Sequence, residues 1–333
     1  MTNREIRLAS RPTGEPTESD FALAESVIPA LADGQVLVRN TWMSVDPYMR
    51  GRMDDAESYI PPFQLGAPLE GSAVGEVVES RAPGIPVGAT VSHFLGWRDF
   101  SVVDAADAVV VDTAVARAQD YLGVLGPTGL TAYLAVTEIA PVRQGDVVFV
   151  SGAAGAVGSI AGQLARKLGA ATVIGSAGGP EKVKRVVSEF GFDAAIDYRG
   201  ESLDERLAVL APDGIDVYVD NVGGDHLRAA IDAMRTHGRL ALVGMISGYN
   251  ATEPVPGPSN LAKLVTKRLN ARGVLVTDHL DRFPEYLGKA VPWLAEGGLR
   301  ARETVLEGLE QAPKALLGVL GGANTGKMLV RLG

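Results

Sequence analysis

Val147-Val148-Phe149-Val150-Ser151-Gly152-Ala153-Ala154-Gly155-Ala156-Val157-Gly158 decides the fold of this chain. The four apolar residues read as a strand buried on both faces. A glycine-rich turn follows at once, and an uncharged helix begins around Val157 and runs through Gln163 and Leu164. Strand, glycine turn and helix, in that order, form the first half of a dinucleotide-binding unit. Glycine lets the backbone approach a pyrophosphate, and the free N–H groups and dipole of a helix N-terminus attract it. Gly152, Gly155, Ala156, Val157 and Gly158 are therefore candidate cofactor-binding residues. The spacing is G-x-x-G-x-x-G rather than G-x-G-x-x-G, and glycines that only allow close helix–strand packing would leave the same letters. The strand before and the helix after favour the nucleotide.

The next strand, Ala171-Thr172-Val173-Ile174, ends in Gly175-Ser176-Ala177-Gly178. An NAD site places an acidic residue about 20 residues after the glycine turn, to bind the ribose 2′-hydroxyl. No carboxylate stands there, so a 2′-phosphate would meet no like charge. Lys182, at the expected start of the following helix, offers a positive partner, although a solvated helix lysine would look the same. NADP is favoured over NAD.

The 333 residues allow two domains with a sizeable core. With 46% hydrophobic and 21% charged residues the chain reads as globular and ordered. A net charge of −9 without a basic patch argues against nucleic acid as a partner. The absence of cysteine removes disulfides, thiolate catalysis and Cys-ligated zinc, and suits the cytoplasm. Histidine occurs only at 93, 226, 237 and 279, with no metal-ligand spacing; all four are expected at the surface or in caps, and no metal is expected. The N-terminal residues lack a signal-peptide core, and the uncharged stretch 147–165 reads as a buried βα unit rather than a membrane span.

Short β-like runs (35–40, 71–78 and 108–111), punctuated by Gly-Pro turns, fill residues 1–124 and imply a β-rich domain or barrel. Residues 125–295 alternate strand (147–150, 171–174, 194–196, 215–219, 239–244, 272–276) with helix (157–168, 181–190, 225–235). Such alternation implies an α/β fold with a doubly wound parallel sheet. After 295 the pattern breaks, and Met328–Leu332 reads as a last strand that rejoins the first domain, so 296–333 is assigned to complete it.

Six motifs in order carry a resemblance that covers nearly the whole chain. They are Ser44-Val45-Asp46-Pro47-Tyr48-Met49-Arg50-Gly51-Arg52-Met53, Gly129-Leu130-Thr131-Ala132-Tyr133, the glycine turn, Asp220-Asn221-Val222-Gly223-Gly224, Ile246-Ser247-Gly248-Tyr249-Asn250 and Asn324-Thr325-Gly326-Lys327. The chain resembles the zinc-free medium-chain dehydrogenases/reductases, in the branch of prostaglandin, alkenal and curcumin double-bond reductases. The resemblance implies a GroES-like β-barrel domain beside the Rossmann domain, an active site in the cleft between them, and NADPH-dependent reduction of the carbon–carbon double bond of α,β-unsaturated ketones and aldehydes. It also implies a homodimer that extends the sheet through the strand at 272–276.

The same resemblance places the 2′-phosphate on Lys182 and Tyr198, with Gly175 and Ser176 lining that pocket. Asn221 would face the ribose and pyrophosphate, and Val243, Gly244, Met245, Ile246 and Ser247 would run under the nicotinamide ribose. Val274, Leu275, Val276 and Asn324 would close over the carboxamide and backbone, and Thr128 would touch the cofactor. Tyr48 and Tyr249 are the candidate catalytic residues, each either a donor to the substrate carbonyl or an aromatic wall. Met53, Tyr59 and Phe63 are candidate wall residues, and Glu70 is read as structural. Animal members carry a further tyrosine in the helix after the proline-rich loop; this chain has Thr266 there. Two other readings stay open, an NADPH:quinone oxidoreductase and a protein that binds NADPH without turnover.

Overall fold

A computed structural model describes residues 2–333. The chain opens with an antiparallel pair, β1 (Thr2–Leu8) and β2 (Phe21–Val27). β3 (Gln35–Ser44), the short helix α1 (Met49–Arg52), β4 (Ala73–Ser80), β5 (Thr90–His93), β6 (Phe100–Asp104) and β7 (Val109–Val110) follow. Helix α2 (Pro127–Leu134) leads into β8 (Val147–Val150), α3 (Ala156–Lys167), β9 (Thr172–Ala177), α4 (Pro180–Ser188), β10 (Ala194–Asp197), α5 (Leu203–Leu210), β11 (Ile215–Asp220), α6 (Gly224–Ala233) and β12 (Met234–Leu242). The last elements are α7 (Ala262–Thr266), β13 (Asn270–Gly273), α8 (Phe283–Ala295), β14 (Glu303–Glu307), α9 (Ala312–Leu320) and β15 (Lys327–Arg331).

Two compact units result. One holds Met1–Gly123, Tyr249–Thr252 and Glu303–Gly333; the other holds Val124–Gly248 and Glu253–Arg302. In the first unit β3 pairs with β4 along one edge. Its other edge pairs with β6 over Gln35–Arg39 and with β15 over Trp42–Ser44. One long strand thus serves two neighbours in turn, as a strand does when a sheet folds over on itself. The C-terminal strand β15 rejoins this unit and carries β14 beside it. The core under α1 is built from Met43, Met49, Met53, Phe63, Leu69 and Trp97 with residues of α9, all buried.

The second unit is a six-stranded sheet in the order β10-β9-β8-β11-β12-β13, with every pair parallel. This is the doubly wound order, and the direction of winding reverses between β8 and β11, where ligands bind at the carboxyl ends of the strands. Val148, Phe149 and Val150 are fully buried, and Phe149 stacks on Tyr218 of the neighbouring β11 at 5.2 Å. Each such side chain contributes about 1.5–3 kcal/mol of burial, which is why the apolar run at 147–150 reads so directly as a central strand. The edge strand differs from its expected position. It occupies Asn270–Gly273 rather than 272–276; Val274 follows it as a buried residue, and a short helical turn opens at Val276.

Candidate active site

The glycine turn joins β8 to α3 at the reversal point. Gly152 has φ +59°, a conformation that favours glycine. Gly158 faces the turn from the first helical turn, and a Cβ there would stand 2.4 Å from the Gly152 carbonyl oxygen. Gly158 is therefore a packing glycine that seats α3 on the turn, whereas Gly152 shapes the turn itself. No side chain caps α3; its N-cap is Gly155, followed by Ala156 and Val157. An uncapped helix N-terminus leaves backbone donors and a positive dipole end for a phosphate.

Asn221 closes this corner. Its N–H donates to Ser151 Oγ at 2.9 Å and its Nδ2 to the Ser151 carbonyl at 2.7 Å. Beneath it the fully buried Asp220 accepts from Tyr218 at 2.7 Å, Ser151 at 3.1 Å and the amides of Val222 and Gly223 at 3.0 and 2.9 Å. The segment 243–247 runs alongside. The amides of Val243 and Gly244 donate to the Asp220 carbonyl, and those of Ile246 and Ser247 to the carbonyls of Asn221 and Val222. Met245 packs over Gly223, and the Ser247 hydroxyl donates to the Val222 carbonyl at 2.6 Å. Val274 donates to the Leu242 carbonyl, which puts Val274, Leu275 and Val276 just past the end of β13. Thr128 lies half-buried in the first turn of α2.

At the end of β9, Gly175 and Ser176 are buried, and the Ser176 hydroxyl has no hydrogen-bond partner among the described residues. Lys182 lies in the first turn of α4, half-buried, its ammonium pKa lowered by burial and by the like charge of Arg199. Tyr198 follows β10, exposed, its ring edge-on to His226 at 5.0 Å. A Cβ on Gly178 would lie 2.8 Å from both the Tyr198 hydroxyl and Arg199 Nε. Gly178 thus brings these two polar groups close against the backbone at the end of β9.

The first unit holds the remaining candidates. Tyr48 is the N-cap of α1. Its hydroxyl is buried without a partner among the described residues, and its pKa is raised well above that of a free tyrosine by burial and then by Asp46, against a lowering by Arg52. Tyr48 feels the hydroxyl of Tyr59, and Tyr59 that of Tyr249, so three tyrosines of this unit lie within electrostatic reach in sequence. Arg52 holds the loop beyond α1: Nε donates to the Pro61 carbonyl at 2.9 Å, Nη2 to Glu70 at 3.0 Å, and the guanidinium lies 4.0 Å over Phe63. Asn324 donates to the Gly326 carbonyl at 2.7 Å in the turn before β15 and belongs to this first unit.

Two families of sequences match the chain: one described as the N-terminal domain of oxidoreductase over residues 4–111, the other as zinc-binding dehydrogenase over 156–296. The NADPH-dependent curcumin reductase of Escherichia coli is 38% identical over 99% of this chain and 97% of its own length. The NADP(+)-dependent 2-alkenal reductase of Nicotiana tabacum is 40% identical over 99% and 97%. The crystal structure of CurA in complex with NADPH from Vibrio vulnificus superposes with a TM-score of 0.95, at 39% identity and 99% coverage of both chains. The chain belongs to the medium-chain dehydrogenase/reductase family. It is an NADP-dependent oxidoreductase.

The residues of this family member fit the cofactor. The uncapped N-terminus of α3 suits a pyrophosphate, and the donors gathered at Gly178, the Tyr198 hydroxyl and the Arg199 guanidinium with Lys182 within electrostatic reach of Arg199, suit a 2′-phosphate dianion. Arg199 was not singled out in the sequence, although it directly follows Tyr198. Among the described residues no three His, Asp or Glu side chains converge as a metal cage requires. Two of the histidines correct the expectation of surface positions. His93 and His226 are each 5% exposed. His93 is held by Asn40 Oδ1 at 2.9 Å and by the Leu95 amide, which donates to Nδ1 at 3.0 Å, so the ring is neutral with its proton on Nε2.

Proposed function

We propose that this enzyme reduces the carbon–carbon double bond of α,β-unsaturated ketones and aldehydes. The observation that carries this reading is the match along 99% of the chain to reductases of this chemistry, beside a buried Tyr48 hydroxyl that has no partner among the described residues. Relatives named for curcumin and 2-alkenal reduction support the substrate class. Bound NADPH supplies the hydride that the β-carbon of the enone receives. Lys182 and Tyr198, with Gly175 and Ser176 beside them, hold the 2′-phosphate; the turn from Gly152 to Gly158 and Asn221 hold the pyrophosphate side. Residues 243–247, Thr128, Val274–Val276 and Asn324 are assigned to the nicotinamide half.

As the double bond is saturated, negative charge collects on the carbonyl oxygen. A hydroxyl donating to that oxygen binds the transition state more tightly than the ground state. Tyr249 is assigned that role and Tyr48 the supporting one. Burial and Asp46 keep Tyr48 protonated at neutral pH, so it acts as a donor and not as a base. The α-carbon takes its proton from solvent or from the same tyrosine.

Nucleotide binding is assigned to 125–295 and substrate handling to 1–124 and 296–333, with Tyr249–Thr252, which cluster with the first unit, joining the substrate side. A homodimer joined along β13 accords with the four exposed residues of that strand at the free edge of the sheet. The cytoplasm is assigned as the place of work because a cysteine-free chain suits it. Oxidation of NADPH, followed by its absorbance, against a medium-chain 2-alkenal, an aryl enone and a benzoquinone tests the reading. Turnover of the two enones with NADPH and little with NADH is expected. Turnover of the quinone alone would replace it with quinone reduction, and tight binding without turnover would replace it with a non-catalytic role.

A further inference from the structure

Arg50 follows Tyr48 by two residues, within the four-residue helix α1, and its side chain is 3% exposed. Taking a guanidinium out of water is costly unless its donors are used. Here Nη2 and Nε donate to the carbonyl of Gly14 at 2.8 and 3.2 Å, and Nη1 donates to Asp54 at 2.8 Å. Most of this buried fork is thus spent on one carbonyl of a distant loop. Gly14 has φ +81°, and the place where its Cβ would stand lies 3.1 Å from Thr252 Cγ2 and 3.7 Å from the Asn250 carbonyl oxygen. The glycine that Arg50 grips therefore lies against Asn250 and Thr252, the residues that directly follow Tyr249, and all of these belong to the first unit.

That segment has no helix or strand of its own. It sits between a short turn at Ile246–Gly248 and the proline-rich stretch 254–258, so its position depends on what packs against it. We propose that Arg50 is a positioning residue for Tyr249, acting through the carbonyl of Gly14. The proposal rests on the role assigned to Tyr249 above. It gives the guanidinium a use that lysine could not supply, since lysine keeps the charge but has no planar fork to hold one carbonyl with two donors.

The test is Arg50→Lys in the full-length enzyme, alone and combined with Tyr249→Phe, read by hydrogen exchange, by kcat and by NADPH affinity. Arg50→Lys is expected to speed amide exchange in peptides covering 249–252 and to leave the NADPH dissociation constant unchanged. Misplacing a reacting group by about 1 Å costs up to about 100-fold, so kcat for an enone should fall by at least about 10-fold. In the Tyr249→Phe background the same change should cost less than about 2-fold, because a positioning effect disappears with the group it positions. Unchanged exchange at 249–252, or an equal loss in both backgrounds, overturns the proposal while leaving Tyr249 its role. A Tyr249→Phe enzyme with intact kcat overturns the role of Tyr249 and the proposal with it. If Arg50→Lys does not fold, Gly14→Ala carries the same test, since its methyl would press on Thr252 and should give the same exchange and kinetic signature.

Discussion

The ammonium of Lys327 lies 2.6 Å from the carboxylate of Asp46, with the lysine 4% and the aspartate 14% exposed. The same ammonium donates to the Val45 carbonyl at 3.1 Å, and the other oxygen of Asp46 accepts from Ser44. The last strand of the chain is thereby pinned to the residues that lead into Tyr48. Removing one partner from a buried pair leaves an uncompensated charge, at a cost of about 3–5 kcal/mol. Lys327→Met should lower stability by about that amount in urea unfolding, and Asp46→Asn added to it should recover part of the loss. Full additivity of the two changes would show that the pair does not act as a unit.

The cluster at Gly178 makes a prediction about cofactor choice. In the role proposed for it, Lys182 would contribute a charge-assisted bond to the 2′-phosphate, worth about 1.5–3 kcal/mol, or about 10- to 100-fold in affinity. Lys182→Ala should weaken NADPH by that factor and leave NADH nearly unchanged. Arg199→Ala should act in the same direction, since Arg199 reaches the same space. Equal losses for both cofactors in a fluorescence titration would remove the assignment.

What the sequence revealed and what it hid follow a physical line. β8 was the most legible because a strand buried on both faces is a continuous apolar run, and β9, β10 and β11 follow it with shorter or interrupted apolar runs, Asp216 breaking β11. β13 was misplaced because all four of its residues are exposed; its register is dictated by pairing of Asn270–Gly273 with Arg239–Leu242, while the apolar run that looked like a strand lies just beyond it. β14 was missed because its residues are half-buried beside β15 and carry glutamate at both ends. Among site residues, the glycine turn and Lys182 stand in a local pattern. The grip of Arg50 on Gly14, the closeness of Arg199 to Gly178 and the burial of His93 all depend on chain segments brought together only by folding.

The two tyrosines should be separable by kinetics. Removing a donor to a developing oxyanion costs about 10²- to 10³-fold in kcat. Tyr249→Phe is expected to show a loss of that size with NADPH affinity intact, and Tyr48→Phe a smaller one. Phenylalanine keeps the aromatic wall, so a tyrosine that only lines the site would show both kcat and enone KM nearly preserved.

His93 gives the protein an acid limb of its own. Burial, assisted by Arg98, lowers its pKa to about 3, against an ordinary value near 6.5. The depressed value means that the unfolded chain binds a proton which the folded chain refuses. The stabilisation is therefore complete above about pH 6.5 and is lost as the pH falls from there towards 3, at up to about 1.4 kcal/mol per pH unit. The ring nitrogen that would take the proton, Nδ1, is the one accepting the Leu95 amide, so protonation also breaks that bond. His93→Gln should lower stability at pH 7, where the bonds to Asn40 and Leu95 are weakened, but should flatten the decline in Tm between pH 6.5 and 4. Parallel declines for the wild-type protein and the variant would assign the acid limb to other groups, of which His226, also buried with its pKa lowered by burial, is the next to substitute.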